Sequence, residues 1–355
     1  MTARLKFLLR PLACFAAFAL AFIAVCTAIH RALPLQNIFT VWHKLTHLAA
    51  HGSDYDTLFI GSSRIYYQVI PSIFDELTAA HGLPTKSFNA GVAGMRPPED
   101  AFFFDQILAH RPGKLRWVFI ELAGIRANIG DERRGTLRMQ YWHDLQRTAL
   151  LWRYATQLLP TKKRWTPKRL WRELREPLAQ FLPHLELFIR EQTNIGKGEF
   201  LAKRLISGLP QPRGSLTGSL GDDLSGWIPT SRGEEMTPAL RADFERELAE
   251  RRARPATRDF ADRVSQEALD ELMAKIESAG ATPVLIVPPT TSKKNFFPRP
   301  ERGRQAIVLD FSDPARFPEL YEIHHRLDSE HTNTAGSEAF TRLLAQRWME
   351  EVNAR

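Results

Sequence analysis

Cysteine is nearly absent. The chain has two, Cys14 and Cys26, and both lie in its first apolar run. The rest of the sequence therefore carries neither a disulfide framework nor a cysteine-based metal site. There is no internal repeat, no Walker loop and no dinucleotide fingerprint, which sets aside the solenoid, P-loop and Rossmann classes. Acidic residues are also in short supply. Against 48 Lys and Arg stand 40 Asp and Glu, for a net charge of +8. That balance suits nucleic acid, anionic lipid or an acidic polymer, and does not choose among them. With 355 residues, 44% of them hydrophobic, the chain can bury one large core or two modest ones.

The amino terminus reads as an anchor. Arg4, Lys6 and Arg10 precede "PLACFAAFALAFIAVCTAI", residues 11–29, a run without charge. Its length is close to the ~20 residues that a helix needs to cross a bilayer. The basic flank, residues 1–10, should stay in the cytoplasm and the large carboxyl-terminal part should be exported. A cleaved signal peptide is the rival, but its apolar core is usually roughly 7–15 residues and ends in small residues. "AVCTAIHRAL" makes a poor cut site. It also makes a poor lipoprotein box, because Val25 precedes Cys26.

Beyond the anchor, residues 30–54 are expected to form a short juxtamembrane helix and a loop. Asp56–Ile60 reads as a strand, residues 71–81 as a helix with Pro71 in its first turn, and "KSFNAGVAG" as a short strand followed by Gly91 and Gly94. "PPEDAFFFDQILAH" is an amphipathic helix. "LRWVFIELAG" is the near-continuous apolar run of a strand buried on both faces. Strand, helix, strand, helix, strand argues for a parallel α/β sheet. Residues 131–260 then turn rich in Arg, Lys, Trp and Pro and show no clear strand, which suggests a helical, basic insertion. It contains "TKKRWTPKRLWRELREPLAQF", with Trp165 and Trp171 interleaved among the charges, and the loop-like "QPRGSLTGSLGDDLSG". The α/β pattern resumes over 261–355 with "DRVSQEALDELMAKIESAG", "TPVLIVPP", "QAIVLDFS" and a final helix from "NTAG".

Two short stretches carry the chemistry. "DTLFIGSSRIYY" ends an apolar strand in Gly61-Ser62-Ser63-Arg64, and "LDSEHTNTAG" sets Asp328 three residues before His331. A serine after a strand can be a nucleophile or merely a helix N-cap. An Asp and a His three apart on one loop can supply the carboxylate and imidazole that a nucleophilic serine needs. Strand ends of an open parallel sheet are where such groups meet.

With "NAGVAG" between them, these blocks resemble the SGNH, or GDSL, hydrolase superfamily. The resemblance covers residues 56–128 and 282–350, about half of the chain. It implies a three-layer α/β/α, flavodoxin-like fold. It implies that Ser63 is the nucleophile, His331 the base and Asp328 its orienting acid, with the backbone N–H groups of Ser63 and Gly94 holding the oxyanion. Arg64, Arg126 and Asn128 are candidate substrate-binding groups, and no cofactor is called for. "HTNTAG" matches the family's continuation after its histidine. Two departures stand out. Ser62 replaces the usual Asp of the first block, and Ile125 replaces the third-block asparagine. Loss of one such oxyanion donor typically costs about 10²–10³ in rate. Membrane-anchored branches, among them proteins of D-alanyl-lipoteichoic-acid transfer and alginate O-acetylation, often have a Gly-Ser-Ser block and a degenerate third block. The likeness implies an esterase or O-acyltransferase on an envelope polysaccharide or similar polymer. It would sit in a bacterial inner membrane with its domain in the periplasm or outside the cell, beside a membrane-bound acyltransferase. A weakly active binding or assembly component is the alternative.

Other signals yield to blander accounts. His324, His325, Asp328 and His331 suggest a metal site, but the resemblance uses two of them without a metal. Glu121, at the end of its strand, could orient substrate or pair with Arg126 or a backbone group. The run from Lys162 to Arg175 could meet an anionic polymer or the membrane surface, or be a solvated helix face. An exported domain argues against nucleic acid.

Overall fold

The apolar runs expected to be strands are strands in the computed structural model. It describes residues 3–32, 38–110, 113–125, 127–130, 133–159, 166–207, 215–230, 236–253, 257–292, 294–298 and 306–355. Helix α1 (Ala3–Ala32) leads to α2 (Phe39–His51), β1 (Thr57–Ile60), the single-turn α3 (Ser63–Tyr66) and α4 (Pro71–Ala80). Then come β2 (Ser87–Asn89), α5 (Glu99–His110) and β3 (Trp117–Glu121). Four helices follow: α6 (Leu137–Gln140), α7 (Leu145–Thr156), α8 (Pro167–Gln192) and α9 (Gly198–Ser207). The chain continues with α10 (Thr217–Leu220), α11 (Pro238–Ala253), β4 (Thr257–Phe260), α12 (Arg263–Ser278) and β5 (Thr282–Val287). It ends with β6 (Lys294–Phe297), β7 (Ile307–Asp310) and α13 (Thr334–Asn353).

Five strands pair in parallel in the order β2-β1-β3-β5-β7. Chain order thus runs one way from β1 to β2 and the other way from β1 to β3. The strand order reverses there, and a crevice opens beyond the carboxyl ends of such strands. Every residue of β1 is buried, as a central strand of a covered parallel sheet requires. Phe59 stacks on Phe119 with ring centroids 4.6 Å apart. Phe74 meets both rings edge-on, and Trp348 of α13 closes over them. The register pairs Ile60 with Ile120, so Gly61, the first residue past β1, lies beside Glu121, the last residue of β3.

One expectation is corrected. Residues 131–260 were to hold no strand, yet β4 pairs in parallel with β6 in a separate two-stranded sheet. "TRDF" and "KNFF" are four residues each, three and two of them polar, and too short to show a periodicity.

The chain divides into two compact units, Met1–Ile38 with Ala127–Pro212, and Phe39–Arg126 with Arg213–Arg355. The second holds the parallel sheet. The first is helical, and its α1 contains a stretch, Ala13–Arg31, long and apolar enough to cross a membrane. In that unit His184 Nε2 donates to the Ala127 carbonyl at 3.0 Å and His143 lies 2.9 Å from His184 Nδ1. Burial, and then the neighbouring His184, push His143 down to about 3, so it is neutral.

Candidate active site

The serine turn is built by the strand register. A Cβ on Gly61 would run into Ile65 Cγ1 and come within 2.6 Å of Glu121 Cβ and Oε2. Glycine is what lets the Glu121 side chain fold over the turn. Glu121 is 4% exposed, and a buried carboxylate needs partners. It accepts the Ser62 N–H at 2.6 Å and the Ser62 hydroxyl at 3.0 Å. Arg64 donates to it through Nε at 2.9 Å and Nη2 at 2.6 Å. The other arm of Arg64 reaches Glu330 Oε2 at 3.0 Å. Burial works against the Arg64 charge, but Glu121 and Glu330 outweigh it and raise its pKa.

The two serines take different roles. Ser62 is the N-cap of α3: its Oγ accepts the Arg64 N–H at 3.2 Å. Ser63 is therefore not needed as a cap, and its Oγ lies 2.7 Å from His331 Nε2. His331 Nδ1 is 2.9 Å from Asp328 Oδ2 and 3.1 Å from Oδ1. An ionised carboxylate has no proton to give, so Nδ1 carries the proton and Nε2 is free to accept from the serine. Burial alone would raise the Asp328 carboxyl. The His331 ring and the N–H groups of Glu330 and His331 more than offset that, holding it below the ordinary carboxylate value.

The loop that carries Asp328 and His331 is fixed from beneath. Asp328 Oδ1 accepts the N–H groups of Glu330 and His331, both at 2.7 Å. The fully buried Arg326 donates to the carbonyls of Ser329 at 2.7 Å and Asp328 at 3.2 Å. Asn333 caps α13 by accepting the Gly336 N–H at 3.0 Å and donates to the His324 carbonyl at 2.6 Å. A Cβ on Gly336 would collide with the His325 carbonyl. The "HTNTAG" string is thus a helix start packed tightly against the turn before it.

The second block braces α3. Asn89 Nδ2 donates to the carbonyls of Ile65 at 2.8 Å and Val69 at 2.7 Å, and its Oδ1 accepts the Gly91 N–H. Gly94 lies beyond, at φ 75°, a backbone conformation that favours glycine. Among the described residues, the N–H groups of Ser63 and Gly94 donate to no protein acceptor. They are available to a developing negative charge.

The remaining candidates fall elsewhere. Arg64, a candidate substrate-binding group, is tied to two carboxylates with its side chain 12% exposed. Arg126 lies outside the described residues, so the suggested Glu121–Arg126 pair does too. Asn128 is exposed and belongs to the helical unit. Ile125 is buried and offers no side-chain donor. Of the four suggested metal ligands, Asp328 and His331 serve each other. Glu322, His324 and the half-buried His325 bring ligand atoms within 4.8 Å of one another.

Three supporting features could not be read off the sequence alone. Lys44 of α2 is buried and donates to the carbonyls of Asn89 at 2.6 Å and Gly226 at 2.8 Å, under the Tyr66 ring. Burial lowers its pKa well below the usual lysine value. Arg326 and the Arg64–Glu121 pair are the others. All depend on contacts between distant segments, and only a charged residue inside an apolar run, such as Glu121, hinted at one. No protein-family model matches this chain, and no curated protein matches it.

Proposed function

We propose that the chain is a membrane-anchored serine ester hydrolase or O-acyltransferase of SGNH type, with that family's flavodoxin-like fold. We propose that it acts on an acyl ester of a cell-envelope polysaccharide or similar polymer. The observation that carries this reading is the Ser63 Oγ to His331 Nε2 contact of 2.7 Å with Asp328 on Nδ1. The serine attacks the ester carbonyl carbon while its proton passes to Nε2. The N–H groups of Ser63 and Gly94 hold the oxyanion. Collapse breaks the ester bond, the leaving alcohol takes the proton from Nε2, and an acyl-serine remains. Water or a sugar hydroxyl then attacks that acyl group, giving hydrolysis or transfer. The long apolar helix near the amino terminus supports an anchored setting, with a membrane-bound acyltransferase as a fitting donor.

A second reading, a binding or assembly component with little turnover, is favoured by Ile125 at the place of the third-block asparagine. Turnover of a small activated ester by the purified full chain, paired with labelling by a serine-reactive phosphonate, separates the two. The catalytic reading expects both activities, and both lost in Ser63→Ala. A folded wild type inert to ester and phosphonate would favour the second reading. Protease treatment of spheroplasts tests the topology. The sheet unit should be digested, and its full protection would contradict export.

A further inference from the structure

Helix α8 presents two opposite faces. His184, Leu187 and Glu191, spaced by three and then four residues, are 2%, 1% and 4% exposed and form its inner face. Trp171, Leu182 and Ile189, at 66%, 52% and 48% exposed, are spaced by eleven and then seven residues. At 3.6 residues per turn those intervals return to one stripe, on the side away from His184. Half-buried Leu178 and Leu185 fill the gaps in the stripe. Exposed Lys168, Arg172 and Arg175 flank its amino-terminal part. A helix in water should not leave such a line of apolar side chains open.

The carboxyl end of α8 is tied to the end of α1 within the same unit. Asn194, just past α8, donates to the Cys26 carbonyl at 2.9 Å. Glu191 pairs with Lys197 at 2.6 Å and stands 3.6 Å from His30. Cys26 and His30 belong to the last turns of the apolar stretch Ala13–Arg31, of which only 6% is buried. Helix α8 therefore does not run alongside that stretch; it meets it where it would leave a bilayer.

We infer that α8 lies in the lipid–water interface beside the exit of α1, its apolar stripe in the headgroup region and Lys168, Arg172 and Arg175 over anionic headgroups. This rests on the reading of α1 as a membrane span. Tryptophan and leucine facing lipid with basic residues alongside are the features of interfacial helices. An acidic polysaccharide would answer the charges but offers no apolar phase for Trp171, Leu182 and Ile189. Long basic side chains can bury their stems while keeping the charge in water.

The test is depth-dependent fluorescence quenching of the full chain in nanodiscs of phosphatidylcholine with phosphatidylglycerol, using lipids brominated near the headgroup end of the acyl chain. Trp171 is exposed, so Trp171→Phe should leave the fold intact, and the difference from wild type isolates that ring among the eight tryptophans. Trp171→Phe should remove most of the bromolipid-quenchable signal. Changing Lys168, Arg172 and Arg175 to Gln should shift the surface-bound equilibrium of α8 by about a hundredfold, seen as reduced Trp171 quenching. Protein that stays with the discs but loses no quenching in Trp171→Phe would overturn the inference while the anchor stands. So would a second copy in the same disc cross-linking to a probe at position 171. Protein that fails to co-elute with the discs would overturn both the span and the inference.

Discussion

Ser62 and Ser63 are neighbours, yet one is 6% exposed and bonded through hydroxyl and N–H to a buried carboxylate, while the other reaches an imidazole at 2.7 Å. The difference arises at the end of β1. Side chains alternate in direction as a strand runs out, and the register delivers Glu121 beside Gly61. One hydroxyl caps α3 and fixes the turn; the other faces the His331 ring. On the proposed reading the serine block is two devices in series, a clamp and a nucleophile, and each can be broken separately.

The largest effect is expected on the nucleophile side. Ser63→Ala should lower ester turnover by on the order of 10⁶, and adding His331→Ala should cost hardly more, because either change alone disables the covalent route. Steady-state rates of the single and double variants check this; additive losses would show that the two do not act as a unit.

Next comes the orienting acid. Asp328→Asn should cost about 10⁴ in kcat by favouring the wrong imidazole tautomer. The same residue has a signature in stability. Its folded-state pKa lies below the ordinary value, so its contribution is present above ~3.9 and is lost as pH falls through the lowered value. The unfolding temperature of wild type should therefore drop more steeply than that of Asp328→Asn as pH is taken below ~4. Parallel curves from calorimetry would contradict the assignment.

On the clamp side the effects shift from rate to stability. Glu121→Gln leaves the partly buried Arg64 guanidinium with Glu330 as its remaining carboxylate. Breaking a buried pair in this way costs about 3 kcal/mol, and denaturant unfolding should report it together with slower phosphonate labelling. Unchanged stability would mean that Glu330 alone suffices. Ser62→Ala is the mildest change. It removes a cap and one bond to Glu121, worth about 1 kcal/mol, and should retain most of the turnover.

Much of this was legible beforehand, for physical reasons that differ by element. The strands before Gly61 and after Arg116 are continuous apolar runs, because both faces of a covered parallel strand are buried. The pairing of Asp328 with His331 was legible because three residues on one loop suffice to bring them together. The resemblance put the nucleophile on Ser63, but the capping role of Ser62 was not legible, since either serine could cap a helix. Nor was the Arg64–Glu121 pair: it requires knowing that β1 and β3 are neighbours in register. Lys44 is a sharper case. A lone lysine in an amphipathic helix looks solvated, and only the fold reveals two carbonyls and an aromatic face around its ammonium group.

The most direct test of the central claim is where a serine-reactive phosphonate attaches on the full chain, mapped by peptide mass spectrometry. The account predicts the label on Ser63, kept in Ser62→Ala, slowed in Asp328→Asn and absent in His331→Ala. A label on Ser62, or a folded wild type with no label at all, would contradict it.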